Sequence, residues 1–122
     1  MRELAYGARG AKPGEARALV VFLHGYGADG ADLLDLADAL GSHLPGVAFV
    51  APDAPEPCAG NPFGRQWFPI PRMDGSSEDA ARQGLVRAAE DLNGFLDARL
   101  TDYGLAAENL VLQLDWYKDG QF

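Results

Sequence analysis

Cysteine is almost missing from the sequence, since Cys58 is the single one among 122 residues. One cysteine excludes an internal disulfide and favours a reducing, cytoplasmic setting. The N-terminal residues lack the apolar segment of a secretory signal, and no apolar run approaches the length of a membrane span. We therefore expect a cytoplasmic chain that amounts to one domain at most.

Basic residues are also scarce, with 10 Lys and Arg against 18 Asp and Glu, and the formal charge is −8. This charge disfavours nucleic acids and anionic membranes as partners, because a polyphosphate binds an electropositive surface. His24, His43 and Cys58 are widely separated and match no zinc spacing, and residues 29–38 lack the alternation of a calcium loop. No metal and no cofactor are predicted.

The centre of the sequence is an uninterrupted apolar run, Ala18–Leu23, which stops at a turn containing Gly25, Gly27 and Gly30. Its length and β-branched content favour a strand that is covered on both faces, as in a parallel sheet. Apolar residues then recur at helical spacing, at Leu33, Leu34, Leu36, Ala37 and Leu40. The stretch therefore predicts strand, tight turn and helix, the arrangement in which open α/β sheets place their ligand sites.

The flanking segments predict the rest of an α/β unit. Residues 2–9 are interpreted as a short edge strand before a loop marked by glycine and proline, and residues 47–51 as a strand parallel to the first. The helix between them is expected to end near Gly41. Residues 52–75 hold six prolines, so we interpret them as a long irregular excursion. We expect it to be ordered, because four large apolar side chains need burial: Phe63, Trp67, Phe68 and Ile70.

A long amphipathic helix follows, for which Ser76 is the predicted N-cap and Gly104 the predicted C-cap. Its apolar positions span more than five turns, while its charged residues, Asp91 among them, are assigned to the solvent side. Leu110–Leu114 is predicted to be a further strand.

Two chemistries can use the glycine turn. Gly25, Gly27 and Gly30 fit the dinucleotide pattern G-x-G-x-x-G, with Asp53 where a ribose-binding carboxylate is expected. Alternatively, a His-Gly-x-Gly turn aims the backbone N–H of Tyr26 into a catalytic crevice as an oxyanion donor. The imidazole of His24 and the charge of Asp29, which would oppose a pyrophosphate, favour the second interpretation.

Three motifs in order carry a family resemblance: Leu-His-Gly-Tyr-Gly-Ala-Asp-Gly, Val-Ala-Phe-Val-Ala-Pro-Asp-Ala-Pro and Arg-Gln-Trp-Phe. Residues 18–112 resemble the N-terminal half of the phospholipase/carboxylesterase family, which includes the acyl-protein thioesterases. The resemblance implies a partial α/β-hydrolase fold: a mostly parallel sheet flanked by helices in three layers, with the C-terminal half missing. It also implies hydrolysis of carboxylic esters or acyl thioesters, with Tyr26 as oxyanion donor, His24, Gly25 and Gly27 supporting the loop, and Trp67 and Phe68 on the pocket wall.

The family pattern breaks at residue 113. In the resembled family the strand like Leu110–Leu114 runs into a G-x-S-x-G nucleophile elbow, followed later by the acid and the histidine. No G-x-S-x-G occurs in this sequence, and Ser42, Ser76 and Ser77 are explained by helix ends. We expect a single incomplete domain over residues 1–122 with a divergent tail at 113–122, for which truncation, frameshift and deliberate shortening are all open. No Ser-His-Asp triad is predicted, so the chain is expected to be inactive.

Two other interpretations are kept. The chain could be a nucleotide-binding βαβ module that uses Gly25, Gly27 and Gly30, or a non-catalytic interaction fragment. Trp67 and Phe68 could equally form a hydrophobic plug that ties the long excursion down. Because the strand Leu110–Leu114 would be left with an unpaired apolar edge, self-association is expected.

Overall fold

A computed structural model gives the structure of the chain and describes residues 1–58 and 61–114. The strands within this part are Tyr6–Gly10 (β1), Ala18–Leu23 (β2), Val47–Pro52 (β3), Glu56–Cys58 (β4), Asn61–Gln66 (β5) and Leu110–Leu114 (β6). The helices are Ala31–Gly41 (α1), Pro71–Asp74 (α2) and Glu78–Tyr103 (α3), with a 3-10 turn at Ala107–Asn109. Most of the tail that we expected to diverge, residues 115–122, lies outside the described residues.

The main sheet has the strand order β1-β3-β2-β6. β2 is parallel to β3 on one side and to β6 on the other, where Leu23 lies opposite Leu114. β1 joins the far side of β3 in the antiparallel sense. The predicted parallel pair of Ala18–Leu23 with the strand at residues 47–51 is confirmed, as is the strand Leu110–Leu114.

Alternate side chains of β2 feed two separate cores, one on each face of the sheet. Phe22 packs with Phe49 and the leucines of α1 on one face. Leu19, Val21 and Leu23 pack on the other, with Phe95 and Tyr103 of α3. Helices therefore cover both faces of a mostly parallel sheet, which is the predicted three-layer α/β class.

The ends of α3 correct one prediction and confirm another. The N-cap is Ser77, not Ser76, because the Ser77 hydroxyl accepts a hydrogen bond from the Ala80 N–H at 3.0 Å. Ser76 belongs to the preceding turn, where its N–H donates to Asp74 at 2.9 Å. Gly104 ends the helix in the left-handed conformation, with φ of +66°, as predicted.

Two segments are more regular than the sequence predicted. Residues 52–75 are not an irregular excursion, because they contain the antiparallel hairpin β4–β5 and the short helix α2. Phe63, which was expected to be buried, is 89% exposed on β5. The edge strand β1 is Tyr6–Gly10, so it begins later than the predicted residues 2–9 and extends past them to Gly10, at the start of the predicted loop. In both cases pairing with a neighbouring strand outweighs the local turn preference of proline and glycine. None of the described helices combines the length and the apolar character needed to cross a membrane.

Candidate functional site

The candidate site lies at the carboxyl ends of β2 and β6. From β2 the chain crosses to β3 on one side, and it later returns to add β6 on the other side of β2. The covering helices α1 and α3 lie on opposite faces of the sheet. Such a reversal of strand order opens a crevice beyond the strand ends, which is where α/β sheets bind ligands.

The glycine turn after β2 is held from outside by the hairpin β4–β5. The Gly27 N–H donates to the Arg65 carbonyl at 2.9 Å, and the Arg65 N–H donates to the Ala28 carbonyl at 2.9 Å. Gly27 has φ of +85°, a left-handed conformation that favours glycine. The Arg65 guanidinium continues the contact, with Nε donating to the Ala54 carbonyl at 2.6 Å. The turn is therefore a fixed element of the site.

His24 supports this turn through both of its ring nitrogens. Nε2 accepts a hydrogen bond from the Ala54 N–H at 3.0 Å, and Nδ1 lies 2.7 Å from the Gly25 carbonyl. An Nε2 that accepts must be unprotonated, so Nδ1 carries the proton and donates. The side chain is buried, with 2 % of its surface exposed. His24 is thus engaged in holding the loop, and this geometry leaves neither nitrogen available as a general base.

Trp67 is fixed against the same loop. Its indole Nε1–H donates to the His24 carbonyl at 2.8 Å, and the two rings stack with centroids 5.4 Å apart. Buried indoles require such a partner for their N–H. One face of Trp67 is consequently held by His24, and the residue is placed to line the crevice.

A predominantly apolar cavity of about 270 Å³ occupies the crevice. It brings together most of the residues singled out from the sequence, namely His24, Gly25, Tyr26, Trp67 and Phe68. Ile70, α3 and the ends of β2 and β6 supply the remaining wall, through Leu23, Ile70, Leu85, Ala88, Ala89, Leu92 and Leu114. Trp67 and Phe68 therefore both contribute to the wall of this cavity. An apolar cavity with few polar groups is the usual form of a small-molecule site.

Tyr26 supplies the polar group at this cavity. Its backbone N–H donates no hydrogen bond to any other residue in the described part of the chain. Its phenol points to α2 and donates to Asp74 Oδ2 at 3.4 Å. Burial, the Cys58 thiol and the Asp74 carboxylate raise the pKa of this phenol well above its ordinary value. The phenol therefore tethers the turn, while the N–H has no acceptor among the described residues.

The groups that a dinucleotide would need are already engaged. The Asp53 carboxylate accepts the Gly30 N–H at 2.8 Å, so it clamps the end of β3 to the start of α1. Asp29 accepts the Asp32 N–H at 3.1 Å, and Asp32 accepts the Asp29 N–H at 3.3 Å. This reciprocal capping satisfies N–H groups that would otherwise bind a phosphate. The glycine spacing thus serves the turn and the helix start.

The other candidate residues lie away from the cavity. Ser42 and His43 are exposed beyond the end of α1, as the sequence indicated. Among residues 1–58 and 61–114, no group of three or more His, Cys, Asp and Glu side chains is placed to hold a metal ion. Cys58 is free and buried.

Sequence reasoning missed two polar residues near the site. Arg65 was quoted as part of the motif Arg-Gln-Trp-Phe, but its backbone contacts to the glycine turn were not foreseen. Asp91 was assigned to the solvent face of α3, whereas it is 3 % exposed and bound to Arg2. The burial of Asp91 could have been suspected from its place next to Leu92, on the apolar side of the helix.

Comparison with known proteins agrees with this geometry. The family model described as phospholipase/carboxylesterase matches residues 10–113. The chain belongs to this family. Acyl-protein thioesterase 1 of Cryptococcus neoformans is 32% identical over 106 residues, a match that covers 82% of this chain and 44% of the thioesterase. This phospholipase/carboxylesterase-family chain therefore spans less than half the length of that relative.

Two solved structures share the fold. Esterase PE8 has 38% sequence identity and a TM-score of 0.80, over 93% of this family member and 52% of the esterase. A phospholipase/carboxylesterase from Dyadobacter fermentans has a TM-score of 0.64 at 24% identity, over 93% of this chain and 49% of the other, and indicates the fold alone. The predicted family and the partial α/β-hydrolase fold are both confirmed.

Proposed function

We propose that this chain carries the acyl-recognition and oxyanion-binding part of a serine carboxylesterase or acyl thioesterase. The observation that carries the proposal is an apolar cavity lined by Tyr26, whose backbone N–H has no acceptor within residues 1–58 and 61–114. An alkyl or acyl chain fits an apolar cavity, and a carbonyl oxygen at its mouth accepts the N–H. That donor stabilises the negative charge that develops on the oxygen during ester hydrolysis.

The 122-residue polypeptide by itself is proposed to have no turnover. Ester hydrolysis by the family route requires an activated serine, and no G-x-S-x-G turn is present in this sequence. His24 does not substitute as base, because the Ala54 N–H occupies its Nε2. The chain therefore binds and polarises an ester but provides no group that attacks it.

Covalent labelling and an ester assay test this proposal. The chain is incubated with a fluorophosphonate and its intact mass is measured, while turnover of p-nitrophenyl butyrate is followed in parallel. We expect no stoichiometric adduct and no saturable turnover. Labelling of one serine, with turnover lost on its substitution, would contradict the proposal. Slow unsaturable hydrolysis that disappears in His43→Asn would be background from an exposed imidazole.

Self-association through β6 is a second proposal, because one edge of this strand is unpaired within the described residues. Val111, Leu112 and Leu114 are 53%, 46% and 47% exposed. Such an apolar edge pairs readily with another strand. Light scattering behind a sizing column should therefore find a species larger than the 13.0 kDa monomer. A monodisperse monomer with a cooperative urea transition would contradict this.

The remaining assignments follow the same proposal. Esters and acyl thioesters of apolar acids are the substrate class, with no nucleic acid as partner, given the charge of −8. One domain over residues 1–122 and a cytoplasmic location are proposed, and the free thiol of Cys58 fits a reducing compartment. Nucleotide binding has little support, since Asp53 is already engaged with Gly30.

A further inference from the structure

The buried carboxylate of Asp91 is the starting point. It lies on α3 with 3 % of its side chain exposed, next to Leu92 and three residues after Ala88, which both line the cavity. A buried carboxylate is strongly destabilising unless it is paired and hydrogen-bonded. The Asp91 carboxylate therefore needs a positively charged partner at this position on α3.

Arg2 is that partner. Its backbone N–H donates to Asp91 Oδ1 at 2.7 Å and its Nε donates to Asp91 Oδ2 at 2.8 Å, while Nη2 approaches Oδ2 at 2.8 Å. In the part of the chain that the structure describes, every hydrogen bond to this carboxylate comes from Arg2. The Arg2 side chain is 30% exposed, whereas the Asp91 side chain is 3% exposed, so the carboxylate is the buried end of the pair.

The same guanidinium also binds the hairpin β4–β5. Arg2 Nη1 donates to Glu56 Oε2 on β4 at 3.2 Å. Glu56 Oε1 accepts from Gln66 Nε2 on β5 at 2.9 Å, and Gln66 directly precedes Trp67 of the cavity wall. One side chain thus ties the α3 wall to the segment that carries the Trp67 and Phe68 wall.

We propose that Arg2 is a positioning residue for the cavity: by binding Asp91 and Glu56 together, it sets the gap between α3 and the Trp67–Phe68 wall. Only a planar, forked guanidinium spans two carboxylates in this way, because an ammonium is a single point charge. The effect of Arg2 on acyl binding rests on the proposed function, whereas its effect on the gap between the two walls does not.

Solvent access to Trp67 measures the gap without any ligand. In a Trp116→Phe background, which leaves Trp67 as the only tryptophan, acrylamide quenching of the indole is compared between variants. Arg2→Lys and Glu56→Gln each remove the bridge, and we expect stronger quenching of Trp67 in both. The double variant Arg2→Met with Asp91→Leu removes the bridge without leaving a buried unpaired charge, so it keeps the fold. Unchanged quenching in that double variant would overturn the proposal.

Decanoate binding provides the second readout, by titration of the Trp67 emission. We expect Kd to rise about tenfold in the double variant, which corresponds to ~1.4 kcal/mol. The control is Arg9→Met, which removes an exposed ion pair between β1 and Asp38 on α1 and should change neither readout. Altered quenching together with no decanoate binding, even in the parent, would support Arg2 as a positioning residue and refute the acyl site. An equal change in Arg9→Met would mean that any loss of an ion pair acts in this way, and would overturn the proposal.

Discussion

Substitution of Gly27 by valine tests whether the glycine turn is held in a left-handed conformation that β-branched residues do not tolerate. Gly27 has φ of +85°, and within residues 1–58 and 61–114, its chain neighbours aside, no atom lies within 4 Å of the position that a Cβ would occupy. Backbone strain is therefore the main effect that we expect in the folded state. The expected loss of stability in Gly27→Val can therefore be estimated from this strain.

The strain of a left-handed, β-branched residue is about 2–3 kcal/mol. Valine also stiffens the unfolded chain, which returns about 0.4–1 kcal/mol. The net destabilisation is then about 2 kcal/mol, and with a urea dependence of about 1–3 kcal/mol per M the midpoint should fall by about 1 M. Replacing Gly27 by asparagine, which tolerates this region, should lower it much less.

Equilibrium urea unfolding, followed by tryptophan emission, is the assay, and two other glycines are matched controls. Gly14 also has a positive φ, +88°, and equally open surroundings, so Gly14→Val should lower the midpoint similarly while leaving decanoate binding intact. Gly41 has open surroundings at the end of α1, so Gly41→Ala should raise the midpoint. A Gly27→Val midpoint equal to that of the parent, with Gly14→Val lowered, would refute the reasoning.

Three further predictions concern the walls and the sheet edge. Gly84→Ala should weaken decanoate binding, because its Cβ would lie 2.9 Å from Phe68 Cβ and from Pro69 Cδ, and a raised urea midpoint with unchanged binding would contradict this. The neighbouring Ser76 side chain, together with the hydrogen bonds that the Ser76 and Ile70 N–H groups donate to the carboxylate, lowers the pKa of Asp74. Its stabilisation is therefore present above the ordinary aspartate pKa and lost as pH falls through the lowered one, so the urea midpoints of the parent and Asp74→Asn should converge on acidification. Leu112→Lys should shift the light-scattering mass towards the monomer, since lysine on an edge strand opposes pairing, and an unchanged mass would exclude β6 as the contact.

The sequence predicted the parts of this fold that depend on local patterns. Ala18–Leu23, α1 and α3 follow from an apolar run or a helical period, and the family motifs located His24, Tyr26 and Trp67. The hairpin β4–β5 was not predicted, because its pairing outweighs a proline-rich composition. The buried ion pair of Asp91 could not be predicted either, since its partner Arg2 lies 89 residues away in the chain. Long-range ion pairs leave little trace in a single sequence.

The measurement that tests the central claim most directly is a titration of the ¹⁵N-labelled chain with decanoate, followed in ¹H–¹⁵N correlation spectra. The claim is that the Tyr26 N–H and the apolar cavity form one acyl-binding site. We predict saturable shifts of the Tyr26, Trp67 and Phe68 amide signals with a common Kd, and a weaker Tyr26 shift with decanol, which lacks the carboxylate. Saturable shifts confined to the β6 edge, or no shift of Tyr26 at saturation, would contradict the claim.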